Sequence, residues 1–207
     1  MTGASSDSDR ARASPSAANG EPAPNPAVRL VAGTFGIDDL DAFLADLDGI
    51  AAETGAVVQA FDAELVVSAT QLREATRLAA RAIARGEAVA RDPGVEILLY
   101  AAGRRQIDRA LELGVSEGER AAVVLVADFG DVPDAGRSTA DLDAAVESVR
   151  ERGLDSARTS DGDALTTGFD PDRVREFYGV TDRELAATNG DLADVVRERA
   201  ALLDVEK

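Results

Sequence analysis

Between Glu96 and Gly114 the sequence EILLYAAGRRQIDRALELG changes its hydrophobic period part-way along, and this change constrains the fold more than any other stretch. Val95 to Tyr100 is a short, nearly unbroken apolar run. Such a run predicts a strand buried on both faces. Ala101, Ala102 and Gly103 leave little side chain at a turn, where the backbone can bend sharply or approach a neighbour. From Arg104 onward, Ile107, Ala110 and Leu111 share one helical face, Arg105, Gln106, Asp108 and Arg109 lie largely off it, and Gly114 is a natural stop. The expected arrangement is a buried strand that delivers two guanidiniums and an amide to the start of a helix. Cations there are opposed by the helix dipole. Two readings stay open: solvated surface arginines on a turn, or arginines placed for function.

Composition excludes whole classes of chemistry. The chain has 207 residues, 45% of them hydrophobic, enough for one domain with a sizeable core. There is no Cys, so disulfides, thiolate ligands and thiol nucleophiles are out. There is no His either, which removes the commonest general base and most zinc chemistry. The formal charge is −17, from 39 acidic and 22 basic residues, and the only lysine is Lys207. An acidic, lysine-poor chain of this kind predicts a salty, halophilic cytoplasm. On net charge alone, nucleic acid is a poor guess as partner. No apolar run reaches membrane-spanning length and residues 1–26 lack the apolar stretch of a signal peptide, so a soluble cytoplasmic protein is expected.

Residues 1–26 are rich in Ser, Ala, Gly, Pro and Asp and are expected to form a disordered tail, with residues 27–207 as a single domain. Val28 to Phe35 predicts a first strand. Asp38 or Asp39 then caps a helix with Leu40, Phe43, Leu44, Leu47 and Ile50 as its stripe, ended by Gly55. Ala56 to Val67 is strand-like, broken near Asp62, and Ser68 or Thr70 caps a helix running to about Arg85. Ala121 to Ala127 predicts another buried strand, after a turn at Asp92-Pro93-Gly94 and the stretch described above. A modest helix around Leu142 to Val149 follows, then a polar, mobile connection from Leu154 to Gly168. Three helices close the chain, opened by Asp170-Pro171, by Thr181 with Glu184 at capping-box spacing, and by Asp191. Four strands among about six helices predict an α/β domain with a small mixed sheet.

The helix from Ser68 has an unusual polar face. Arg73, Arg77, Arg81 and Arg85 recur every fourth residue, opposite Leu72, Ala75, Ala79, Ala82 and Ile83. Like charges at this spacing repel by a few tenths of a kcal/mol per pair. Glu74 is the only acid between Gln71 and Gly86. The stripe therefore meets acidic side chains from a neighbouring loop, RNA phosphates or an acidic protein partner.

Catalytic motifs fail on inspection. Asp128-Phe129-Gly130 spells a kinase tripeptide, but the His of a catalytic loop and the Lys of an early strand are missing. Gly33-Thr-Phe-Gly36 is too short to cradle phosphates. Asp161-Gly162-Asp163 lacks an EF-hand's ladder of oxygen ligands, and helix capping accounts for Asp38/Asp39. No nucleophile–base arrangement is readable, so no enzyme, metal or cofactor is expected.

At Gln59-Ala-Phe-Asp62 and at Glu96-Ile-Leu-Leu-Tyr-Ala-Ala-Gly103-Arg-Arg-Gln-Ile107 the chain resembles the Cgi (TPRKB-like) family, and its C-terminal run from Asp191 to Lys207 resembles the ending of archaeal members. The resemblance implies a small, non-catalytic subunit of the KEOPS complex, which attaches a threonylcarbamoyl group to an adenosine beside the tRNA anticodon through another subunit's chemistry. It further implies docking on the small atypical kinase/ATPase subunit and, in archaea, binding of tRNA at its CCA 3′ end. Neither membrane nor DNA is an expected partner. On this basis Arg73, Arg77, Arg81, Arg85, Arg104 and Arg105 are expected to contact RNA, and Tyr100, Gln106, Ile107 and Arg109 the partner subunit. Arginine suits high salt, because its planar fork grips phosphate bidentately and stacks on bases where long-range attraction is screened. A pure protein–protein adaptor is the competing expectation; there Arg104, Arg105 and the stripe would meet the kinase subunit.

Overall fold

The computed structural model describes residues 23–152, 158–160, 168–188 and 190–205. Its centre is a four-stranded sheet of order β2-β3-β1-β4, with β1 Val28–Ile37, β2 Val57–Asp62, β3 Gly118–Ala127 and β4 Arg158–Ser160. Every neighbouring pair is antiparallel. The mixed sheet expected from strand–helix alternation is not formed, for a topological reason. β1, helix α1 (Leu40–Thr54) and β2 do make a crossover between strands of the same direction, but β3 is inserted between them and runs against both. This is a split βαβ unit.

The sheet is covered on both faces. Val31, Phe35, Ala60, Val124 and Val126 pack with Leu47 and Ile50 of α1 and with Ala145 and Val149 of α5 (Leu142–Glu151). Leu30, Phe61, Val123 and Leu125 pack on the other side with α2 (Ala69–Ala84), α3 (Pro93–Ala102) and Ala200 and Leu203 of α8 (Leu192–Val205). β3 therefore carries an unbroken apolar run, since side chains of both parities are buried. A smaller core of Val67, Val174, Tyr178, Val195 and Val196 holds α6 (Pro171–Tyr178) and α8 together.

The stretch Val95–Tyr100 is a helix and not a strand. α3 starts on Asp92, whose Oδ1 accepts from the Gly94 and Val95 amides at 2.8 and 3.1 Å, with Pro93 in the first turn. It ends on Gly103, in the left-handed conformation at φ +61°, where the Arg104 amide donates back to Leu99 O at 3.0 Å. Apart from Glu96, whose Oε2 accepts from the Val89 and Ala90 amides at 3.0 and 2.8 Å, the helix is apolar nearly all round because it lies between the sheet, α2 and α8; a helix buried on every side shows no periodicity. Gly103 also permits close approach: a Cβ there would sit 3.0 Å from the Arg199 Cβ of α8. The helix after it, α4 (Ile107–Leu111), is shorter than expected.

The remaining elements follow their sequence signals. Asp39 caps α1 through the Ala42 amide and Gly55 closes it at φ +74°. Ser68 caps α2, and Thr181 caps α7 (Asp182–Ala187) through the Glu184 amide. The break at Asp62 is a 3-10 turn, Ala63–Leu65, capped by that aspartate. Residues 1–22 of the expected tail, and the Leu154–Gly168 connection apart from β4 and Gly168 itself, lie outside the described residues, as does Asp161-Gly162-Asp163.

Candidate functional site

Two cationic features lie on elements packed against the α2–α3 face of the sheet. The first is the α2 stripe. Leu72, Ala75, Ala79, Ala82 and Ile83 are buried; on the opposite face Arg85 is exposed, whereas Arg73, Arg77 and Arg81 are half-buried. The guanidiniums are not bare. Arg77 Nε and Nη2 donate to Glu74 Oε2 at 3.1 and 2.8 Å, and Arg85 Nη1 lies 3.9 Å from Glu87 Oε2 in the following turn. Arg73 and Arg81 are engaged as well. The Arg77 and Arg85 pairs are solvated and each contributes at most about 1 kcal/mol.

The second feature is a groove of about 570 Å³ between the 3-10 turn, α4 and α6. Arg104, Arg109 and Arg173 line it, together with Leu65 and Phe177. Glu112 and Glu176 add two carboxylates to the lining. Arg173 reaches Asp62 Oδ2 at 2.8 Å and also pairs with Glu64. Burial acts to lower the Arg173 pKa, but the bonds and charges of Asp62 and Glu64 outweigh it and the net direction is upward. Arg109 Nη1 meets Glu112 Oε1 at 2.8 Å. Arg104 differs from both: its Nη2 donates to Phe177 O, and its guanidinium lies over the Phe177 ring, 5.4 Å from the centroid. Among the described residues it has no carboxylate partner.

A buried polar knot sets this geometry. Gln71 Oε1 accepts from Val67 N at 2.9 Å, and its Nε2 donates to Ala101 O at 3.1 Å and to the Tyr178 hydroxyl at 2.7 Å. Tyr178 OH donates in turn to Ala101 O at 3.0 Å. The knot ties the start of α2 to the end of α3 and to α6, and so fixes Arg104, three residues beyond Ala101, against Phe177. Burial pushes the Tyr178 pKa far above its ordinary value, with opposing contributions from the Gln71 hydrogen bond and the Arg104 charge.

The placement of Arg104 and Arg105 overturns one expectation. Both follow the C-terminus of α3, where the helix dipole favours cations; they do not open a long helix that would oppose them. Arg105 Nη2 lies 3.4 Å from Leu203 O of α8. Tyr100, expected at the partner surface, is 0% exposed; because its stretch is the buried helix, its side chain belongs to the core. Gln106 and Arg109 are exposed, and Ile107 is 40% exposed in place of being an inner-face residue. Sequence reasoning missed Gln71, Arg173 and the role of Phe177. A readable signal existed for the first: Gln71 is polar on the apolar face of α2. Asp128 of the kinase-like tripeptide is a loop clamp, accepting from Gly130 N at 2.9 Å and Ala140 N at 3.1 Å.

A family model described as the kinase binding protein CGI-121 matches residues 43–204. The chain belongs to the CGI-121 family. The stripe, the groove and the knot all fall within that span, whereas β1 precedes it. None of the curated proteins matches the chain. Among the described residues, no helix is long and apolar enough to cross a membrane, and no group of three or more acidic side chains could hold a metal ion.

Proposed function

We propose that this CGI-121 protein is a non-catalytic KEOPS subunit of haloarchaeal type. In this reading it docks on the small kinase/ATPase subunit and helps recruit tRNA by its CCA 3′ end, in the cytoplasm and without a cofactor of its own. The family match carries the kinase half of the proposal. The four-arginine stripe of α2 supports the RNA half, with Arg105, which reaches Leu203 O of α8, as a further proposed contact. Gln106, Ile107 and Arg109 are the proposed partner contacts, all on the exposed side of the turn into α4.

A gel shift with intact tRNA and with tRNA lacking CCA tests the RNA half. Binding that is lost with the CCA end is the expected result. Replacing Arg77 and Arg81 by Lys is expected to weaken binding in high salt, because the fork geometry goes while the charge stays; unchanged affinity would remove the geometric argument. A specific observation favours a second reading, an adaptor that never touches RNA: Glu74 and Glu87 already neutralise Arg77 and Arg85 in part. Absence of any shift, together with tight binding to the kinase subunit, would select it.

A further inference from the structure

We propose that the groove between the 3-10 turn, α4 and α6 receives a segment of the kinase partner, with a single Asp or Glu carboxylate seated on the Arg104 guanidinium. The proposal rests on reading the chain as a kinase-binding protein and adds the place and chemistry of one contact. It moves Arg104 from the RNA-facing residues to the protein-facing ones.

Charge decides the class of occupant. Of the three arginines in the lining, Arg173 is held by Asp62 and Glu64, and Arg109 by Glu112. Arg104 alone is left without a carboxylate among the described residues, and one backbone carbonyl takes up only one of the five N–H donors of a guanidinium. Arg104 is therefore the one guanidinium of the lining whose fork is open to a carboxylate among the described residues. A carboxylate matches it in charge, and its two oxygens match the planar fork. A phosphodiester strand brings a charge with every nucleotide against Asp62, Glu64, Glu112 and Glu176 in and beside the lining, whereas one seated side chain brings a single charge.

Apolar surface points the same way. Leu65 and Phe177 line the groove beside Arg104. A half-buried cation flanked by apolar side chains is the anatomy of a protein–protein anchor point. Arg104 is also pre-ordered, by the Phe177 ring and by the Gly103 turn, so seating a partner costs it little side-chain entropy.

Isothermal titration of the full chain with its kinase subunit tests this. With wild type binding, Arg104→Gln is expected to weaken the complex about tenfold or more, and Arg104→Lys by less. Exposed Arg183→Gln, outside the groove, is expected to change nothing. Alanine replacement of the kinase subunit's acids is expected to reveal one whose loss adds nothing further to that of Arg104→Gln. If Arg104→Gln proves unstable, the same cycle is run against Arg104→Lys, where the matching kinase acid is again expected to add less than its full loss. The proposal is overturned if wild type binds and Arg104→Gln binds equally well, or if every kinase-side loss adds in full. It is equally overturned if Arg104→Gln weakens binding of a tRNA 3′-end fragment and spares the kinase, which would assign the groove to RNA. Failure of wild type to bind the kinase subunit at all would instead sink the kinase-binding reading itself.

Discussion

At the scale of single residues, the site is held by groups that never touch a partner. Gln71 satisfies the Val67 amide, the Ala101 carbonyl and the Tyr178 hydroxyl from inside the core, and the buried hydroxyl is costly to ionise. This fixes a sign for alkaline pH. Because the folded state raises the Tyr178 pKa, its contribution to stability is full below the unfolded value of about 10 and is lost as pH rises above that value toward the folded pKa. Few other groups titrate there, since the chain has two Tyr and one Lys. Denaturation midpoints followed from pH 9 to 11 are therefore expected to fall in wild type and to fall less in Tyr178→Phe. Equal slopes would remove Tyr178 as the cause.

At the scale of elements, α3 shows how a buried helix hides in a sequence. Its apolar run carries no period to separate it from a strand, but its ends are marked: Asp92 and Pro93 at the start, Gly103 at the stop. Those ends do energetic work. Asp92 accepts two amides through Oδ1, and its Oδ2 lies 3.2 Å from Arg137 Nη2, which ties the 128–140 loop to the helix. Asp92→Ala is expected to cost about 1–2 kcal/mol, mostly through the lost cap. Urea denaturation measures it; a loss below about 0.3 kcal/mol would mean that packing alone holds the helix start. The same element places the cations of Arg104 and Arg105 where a helix terminus attracts them.

At the scale of the whole molecule, the excess of carboxylates governs the response to salt. Most ion pairs on the described surface join half-exposed side chains, several of them three residues apart on one helix, and these contribute little. Screening weakens these pairs but also relieves the self-repulsion of a −17 chain, and the second effect is the larger. Raising KCl from about 0.1 to about 1 M, which cuts the Debye length from roughly 10 to roughly 3 Å, is expected to raise the thermal midpoint. For a chain of this length each kcal/mol gained is worth about 2–4 °C. A midpoint that stays level or drops would show that the surface pairs matter more than the net charge.

Whatever is local along the chain, the sequence determined alone. The caps at Asp38 or Asp39, at Ser68 or Thr70 and at Thr181, of which Asp39, Ser68 and Thr181 form, together with the stop at Gly55 and the double-sided burial of Ala121–Ala127, follow from neighbours within a few residues. Tertiary structure decided the rest. A nearly unbroken apolar stretch such as Val95–Tyr100 packs equally well as strand or helix until a slot between sheet, α2 and α8 selects one. Sheet direction depended on β3 entering between β1 and β2. The groove joins Arg104 to Phe177 and Asp62 to Arg173, pairs separated by 73 and 111 positions, and no local pattern encodes which distant side chains will meet.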